Sequence, residues 1–441
     1  MTLNGPAANV LAGRRDAVLE TLRETRAVLV LPAVVESVYS ADVHYPYRTG
    51  SNIRYLTGFE EPAAVILSAA GHEDGFTLLV NPRDPVAETW TGRRAGIEGA
   101  LSDYSADHAY PLDQFEEVVQ KHLSGADRLY YGYGTSAAGD RIIPELVHRA
   151  NGLRPRGGGS PIEMVDAGTI LDEMRLFKAD EEIAIMRRAC EISSDAHVRL
   201  MEQIRPGMNE YQAQALIEHA FRDAGCAGPA YGTIAAGGAN ATVLHYTSND
   251  RELDGGELFL VDAGGEYGGY CADITRTFPI GKSFTPAQAR IYDIVLDAQK
   301  AAVARVKPGS THQDVHMTAV RVLCEGLIEL GLIDSGVDEC IESEAYKTYY
   351  MHGTSHWLGM DVHDVGSYKP AGGSRELEPG IVLTVEPGLY IAEDADVPEE
   401  LRGIGIRIED DVLVTPGGHD VLTESCPKER GDLEALRAAA V

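Results

Sequence analysis

The stretch from Thr285-Pro286-Ala-Gln288 to Lys307-Pro308-Gly309 carries the marks of one complete helix. Thr285 can cap the free N–H groups of a first turn, Pro286 has the φ that a first helical position wants, and Pro308-Gly309 stops the run. A second helix follows to about Leu330, then strands at Ile381–Glu386 and Gly403–Val414. The same order occurs earlier. Lys178-Ala-Asp-Glu-Glu182 places acids in a first turn, and Ile185, Ala189, Ile192, Ala196 and Leu200 recur at helical spacing. That helix stops at Pro206-Gly207, a second runs from about Glu210 to Ala224, and strands are expected around Leu258–Ala263 and Tyr270–Phe278. The two Pro-Gly stops lie 102 residues apart. Residues 173–441 are therefore expected to form an α+β domain of two copies of helix, Pro-Gly, helix, strand, strand, related by a pseudo-twofold axis. A site between the halves follows from that layout.

Residues 1–172 read differently. Leu11 to Arg26 is expected as a helix, Ala27 to Leu31, Ala63 to Ser68 and Gly75 to Val80 as strands, and Asp113 to Leu123 as a helix, which together predict an α/β domain. The Gly/Pro-rich segment Gly152 to Pro161 is expected as a loop and lacks the lysine of a phosphate loop.

Composition excludes several classes. The 441 residues are 44% hydrophobic and 24% charged, the balance of a folded globular chain. Lys and Arg number 38 against 68 Asp and Glu, and the net charge of −30 opposes binding to nucleic acid or anionic membrane. The longest strongly apolar run, Ala27 to Val35, is too short to span a bilayer. Six scattered cysteines without C-x-x-C, and an N-terminus without an export layout, predict a cytoplasmic protein with reduced thiols.

Four of the acids stand out because carboxylates are costly in apolar strands unless something charged meets them. Asp262 ends Leu258-Phe-Leu-Val-Asp262, Asp273 sits in Ala272-Asp-Ile-Thr-Arg-Thr-Phe278, Glu386 in Val382-Leu-Thr-Val-Glu386, and Glu409 in Ile404-Gly-Ile-Arg-Ile-Glu409. Each half supplies two. Four carboxylates converging between the halves would repel one another unless two divalent cations neutralised them. Oxygen ligation points to manganese or magnesium; an added imidazole tilts the choice toward manganese, cobalt, iron or zinc. His352, His356 and His363 fall within twelve residues and are the imidazole candidates. Spacing does not choose among them. His245 in Val243-Leu-His-Tyr-Thr247 reads as an isolated strand histidine with a structural role. There is no G-x-S-x-G elbow, and Ser355 beside His356 does not make a triad.

At these residues the sequence resembles the aminopeptidase P (Xaa-Pro aminopeptidase) family of pita-bread metallopeptidases, which also include prolidase and methionine aminopeptidase. His352–Asp364 resembles the family's signature, and the likeness runs from Tyr45-Pro-Tyr-Arg48 and Tyr55-Leu-Thr-Gly-Phe59 to Glu409-Asp-Asp411. The resemblance implies two divalent metal ions, usually manganese, with zinc or cobalt as substitutes. Asp273 and Glu409 would bridge them, Asp262 would bind one, and His356 with Glu386 the other. It implies that His245, against the structural reading above, lies near the leaving group, that His352 and His363 line the substrate site, and that Arg407 stands beside the metals.

The implied reaction is hydrolysis of the bond before proline in peptides with proline second. A metal-bridging hydroxide would attack, Glu386 would take its proton, and His363 or His245 would help stabilise the oxyanion. The implied N-terminal domain is non-catalytic, mediates assembly into a homodimer or homotetramer, and partly covers the site, with Asp42 and Trp90 near it. Two departures from the family pattern bear on assembly: Gly168 replaces an arginine and Arg54 an aromatic residue. Prolidase, restricted to Xaa-Pro dipeptides, is the nearest alternative. A non-catalytic pita-bread binding module is disfavoured by the full ligand set.

Overall fold

The computed structural model describes residues 5–152 and 160–440. Of the expected Gly/Pro-rich loop, residues 153–159 lie outside the described residues. The chain divides into two compact units, Met1–Glu173 and Met174–Val441.

The first unit is a six-stranded mixed sheet with helices. Its strands are β1 (Ala27–Leu31), β2 (Ala63–Ser68), β3 (Gly75–Val80), β4 (His108–Pro111), β5 (Arg128–Tyr131) and β6 (Glu163–Asp166), in the order β4-β3-β2-β1-β5-β6. Strands β1 and β2 are fully buried, as continuous apolar runs require when both faces are covered. Helix Ala8–Glu24 precedes β1, and helix Phe115–Leu123 presents Val118, Val119 and Leu123 to the sheet. The expected helix and strand positions hold here with end shifts of a few residues.

The second unit repeats its order of elements. Helices Asp180–Gln203 and Glu210–Asp223 precede an antiparallel sheet of β7 (Ile234–Gly237), β8 (Leu258–Asp262) and β9 (Thr275–Pro279), with β8 central. Helices Pro286–Arg305 and His312–Glu329 then precede β10 (Val382–Val385), β11 (Gly388–Ile391), β12 (Ile404–Arg407), β13 (Asp410–Thr415) and β14 (Gly418–Val421). In this half β13 pairs between β10 and β14, while β11 and β12 form a ribbon. Thr285 caps its helix as expected, accepting from the Gln288 N–H while the Gln288 side chain accepts from the Thr285 N–H.

Two expected strands are broken. Tyr270–Phe278 divides into Tyr270–Cys271 and β9, and Gly403–Val414 divides into β12 and β13. The interruptions fall on Asp273 and Glu409. Alternation of apolar residues continues through both breaks, which is why the pattern reads as one strand, but the backbone bonds go elsewhere. The Asp273 N–H donates to the Asp411 carboxylate at 3.0 Å, and the Glu409 N–H to the Thr275 carbonyl of the other half at 3.1 Å. Residues 243–247 are not a strand either; they lie in a turn after the 3-10 helix Gly238–Thr242, with His245 exposed.

Candidate metal centre and its cavity

Each of the four acids stands at a strand boundary, and two close approaches bring them together. Ala263 donates its N–H to the Ile274 carbonyl at 3.0 Å, and at Gly264 a Cβ would lie 1.7 Å from the Ala272 carbonyl oxygen. Only glycine permits that approach, which sets Asp262 beside Asp273. In the other half, segment 354–358 runs along β10 without being a regular strand. Glu386 donates its N–H to the Thr354 carbonyl (2.8 Å), Thr384 to His356 (3.0 Å) and Leu358 to Val382 (3.0 Å). Side chains alternate along it: Trp357 is fully buried and stacks on Tyr368, while His356 turns toward Glu386.

These side chains line a cavity of about 510 Å³ that also contains Tyr231, His245, His352, His363 and Arg407. One ligand atom each from Asp273, His356 and Glu409 lies within 4.8 Å of the others. His356 Nε2 is 3.4 Å from Asp273 Oδ2 and 3.8 Å from Glu386 Oε1. Its Nδ1–H donates to the Trp357 carbonyl at 3.1 Å, which fixes the ring so that Nε2 is the nitrogen facing the acids.

Asp262 is tied in by Arg407, whose guanidinium donates to Asp262 Oδ2 at 2.6 Å and to Thr275 Oγ1 at 3.2 Å; Thr275 donates to Glu409 Oε2 at 2.6 Å. Arg407 also donates to the Tyr390 hydroxyl at 3.0 Å, and that hydroxyl lies 2.8 Å from His352 Nε2. Strand register explains the contact. Arg407 stands opposite Gly388, and Tyr390, two residues on, shares its face. With His352 Nδ1 2.7 Å from the Gly353 carbonyl, the bonds order as Arg407 to Tyr390, Tyr390 to His352, and His352 to Gly353.

The acids and the imidazole of the cavity shift one another's protonation. Burial and neighbouring acids raise Glu386 to about 7, although His356 and Arg407 pull it down, and push Asp273 and Glu409 upward. Burial alone would lower His356, but Asp273 and Glu386 outweigh it and raise the ring to about 9. His352 is lowered by burial and by Arg407 to about 4, so its 3.7 Å approach to Glu386 is a contact of a neutral ring, not an ion pair. Four carboxylates and one imidazole converging in this way are the donor set of an oxygen-rich cation site. The donor set fits divalent ions.

Asp42 and Trp90 belong to the first unit. Asp42 occupies the exposed turn between Val38–Ser40 and Val43–His44, and Trp90, 86% exposed, lies on helix Pro85–Thr91. Ser355 Oγ is buried with no partner among the described residues, hence without the base a nucleophilic serine needs. Tyr231 is the member sequence reasoning missed. Its phenol donates to Asp262 Oδ1 at 2.6 Å and also contacts Asp273 Oδ1. A tyrosine beside Gly232 carries no pattern that separates it from core tyrosines.

The repeated halves and the carboxylate–imidazole cavity between them define a pita-bread metallopeptidase. The chain belongs to metallopeptidase family M24, which matches residues 184–416, and residues 11–130 match the aminopeptidase P N-terminal domain. It is similar to the Xaa-Pro aminopeptidase of Escherichia coli K12, 44% identical over 429 residues, covering 97% of each chain. The structure of Pseudomonas aeruginosa aminopeptidase PepP matches with a TM-score of 0.96 at 43% identity, covering 99% of both chains. Zn-substituted E. coli aminopeptidase P in complex with product matches at 0.95 and 42% identity, again covering 99% of both chains.

Proposed function

We propose that this chain is an Xaa-Pro aminopeptidase, removing the N-terminal residue from peptides whose second residue is proline. The observation that carries the reading is the convergence of Asp262, Asp273, Glu386 and Glu409 with His356 in one buried cavity. The near-full-length likeness to the E. coli enzyme supports the substrate class.

Asp262, Asp273, His356, Glu386 and Glu409 would hold two divalent ions, manganese being the proposed pair and zinc or cobalt substitutes. Such ions, when bound, acidify a water molecule and polarise the scissile carbonyl. The protein's own groups supply the rest. Glu386, on the wall of the cavity, would take a proton and return it to the departing proline nitrogen. Neutral His352 is held by Tyr390 and the Gly353 carbonyl, which fixes one wall of the cavity. His363, whose ring lies 4.5 Å from that of His356, and His245 line the cavity as candidate donors to the carbonyl oxygen. Arg407 orients Asp262 and braces Tyr390.

The first unit is proposed to serve assembly, as a homodimer or homotetramer in the cytoplasm. Its exposed Val38, Tyr39, Val43, Tyr45, Val86 and Trp90 support that role, and Asp42 and Trp90 are the proposed contributors to a neighbouring site. At the two departures, Gly168 opens helix Gly168–Leu176 beside Asp166, and Arg54 pairs with Glu60 at 2.7 Å. The test is to assay an Xaa-Pro-Pro tripeptide and an Xaa-Pro dipeptide in parallel, after chelation and again with manganese restored. Manganese-dependent tripeptide cleavage is expected; turnover of the dipeptide alone would assign a prolidase instead.

A further inference from the structure

All six cysteines are buried and unbridged, and two of them touch. Cys324, in helix His312–Glu329, and Cys340, in the short helix Val337–Glu342, bring their sulfurs to 3.1 Å across a separation of 16 residues. That is inside the ordinary contact distance of two sulfur atoms, and both side chains are fully buried. The other sulfurs have different surroundings. Cys190 donates to Asp411, and Cys271 lies against the Met360 carbonyl.

We propose that Cys324 and Cys340 form a disulfide-forming site, closed by a peroxide or a small-molecule disulfide, that fastens the segment after helix His312–Glu329 to that helix. Closing the bond asks the sulfurs to approach by about 1 Å, to the roughly 2.05 Å of a disulfide. The chemistry balances with hydrogen peroxide as oxidant. One thiolate attacks a peroxide oxygen and breaks the O–O bond, giving a sulfenic acid and, with a proton, water. The second sulfur displaces hydroxide from that sulfenic acid, which leaves with the second thiol's proton as another water. Two thiols thus lose two electrons to one peroxide.

Access comes through the short element. Helix Val337–Glu342 is under two turns long, and the connection before it, 330–336, is partly exposed throughout, so its opening exposes both thiols without unfolding the domain. Closed, the pair is sluggish: burial and the neighbouring thiol raise Cys324 to about 12, which keeps it as the unreactive S–H. The site has a consequence for the cavity. The same long helix carries His312, 3.0 Å from the Ser355 carbonyl, and His316, 2.8 Å from the Thr354 hydroxyl, so it supports the backbone that presents His356. A bridge ties down the far end of that support.

The test uses the full-length protein. Folded protein is treated with hydrogen peroxide or with oxidised glutathione, then denatured, alkylated and mapped by mass spectrometry. The expected result is a Cys324–Cys340 cross-linked peptide, lighter by two hydrogens than the reduced pair, with the other four cysteines alkylated, and a Tm several degrees above that of the reduced protein. Cys340→Ala, and separately Cys324→Ala, should abolish both the cross-linked peptide and the oxidant-dependent rise in Tm. Recovery of six alkylated thiols after treatment, or a cross-link joining either cysteine to a different partner, would overturn the assignment. Because the mapping is done on the unaltered sequence, it decides the matter even where an alanine variant fails to fold.

Discussion

Tyr231 is the residue on which the electrostatics of the cavity turn most directly. Tyr231 is half-buried with its phenol against two carboxylates, and burial together with Asp262 and Asp273 raises its pKa far above the ordinary value, so the proton stays on oxygen. It can therefore donate to the acids but never compete with them as an anion. Removing the hydroxyl leaves those oxygens without their shared donor while the ring still fills its place. Tyr231→Phe is expected to keep the fold and to weaken metal binding by about 10- to 100-fold, the usual effect of losing a group that orients a ligand. Titrating manganese into chelated wild type and variant, followed by metal analysis, checks this. The acids themselves were legible because a carboxylate in an apolar run is conspicuous. The choice of His356 over His352 and His363 was not legible from spacing, since it depends on which backbone segment lies along β10, a pairing that local sequence does not encode.

Among the elements, β9 and β13 are joined by a buried arginine. Arg276 is fully buried and donates to the carbonyls of Thr275, Glu409, Pro427 and Cys426 and to Asp410 Oδ1 at 2.7 Å. It thus ties the strand after Asp273 to the residue that bears Glu409. Burial would raise Asp410, but Arg276 and Lys428 overcome it and hold the carboxylate down to about 2. Replacing Arg276 by methionine leaves that charge with Lys428 alone and several carbonyls without donors. A loss of about 3–5 kcal/mol is expected, read from the denaturant midpoint. Neither the tie nor the strand break beside it shows in hydrophobic periodicity, which reports faces and not partners. The first unit has the opposite situation in His122, fully buried on helix Phe115–Leu123 with both ring nitrogens unpartnered among the described residues. Burial lowers it to about 4, with His72 and His108 adding to the effect and Glu73 and Asp74 opposing it. A folded-state pKa below the unfolded value of about 6.5 means that the unfolded chain takes up the proton first. Stability is then lost as pH falls from about 6.5 to 4, by about 3 kcal/mol from this ring. His122→Leu should flatten that part of the acid unfolding curve and be neutral or stabilising at pH 7; an unchanged acid profile would show that the ring is not the cause.

At the scale of the whole molecule, the net charge of −30 is mostly a solvated surface, whereas the acids of the cavity cannot use solvent to relieve their repulsion. Among the described residues no helix is long and apolar enough to cross a membrane. Cations and protons are then alternative ways of stabilising the same cavity. Without metal, Glu386 is raised to about 7 and His356 to about 9, both above their unfolded values. Each raised group stabilises the folded, metal-free protein when protonated, and that contribution is lost as pH climbs from about 4.5 to 7 for the carboxyl and from about 6.5 to 9 for the imidazole. Metal-loaded protein has no such loss, because its ligands are already deprotonated. The gap in Tm between manganese-loaded and chelated protein should therefore widen steadily from pH 5 to pH 9, and metal binding at pH 7 should release protons, detectable as a dependence of the binding heat on the buffer's ionisation enthalpy. A manganese concentration about a hundred times its Kd adds roughly 2.7 kcal/mol of stability, enough for the effect to be read by scanning calorimetry. A Tm gap that stayed constant with pH, with no proton release, would mean that the ions bind somewhere other than Asp262, Asp273, His356, Glu386 and Glu409.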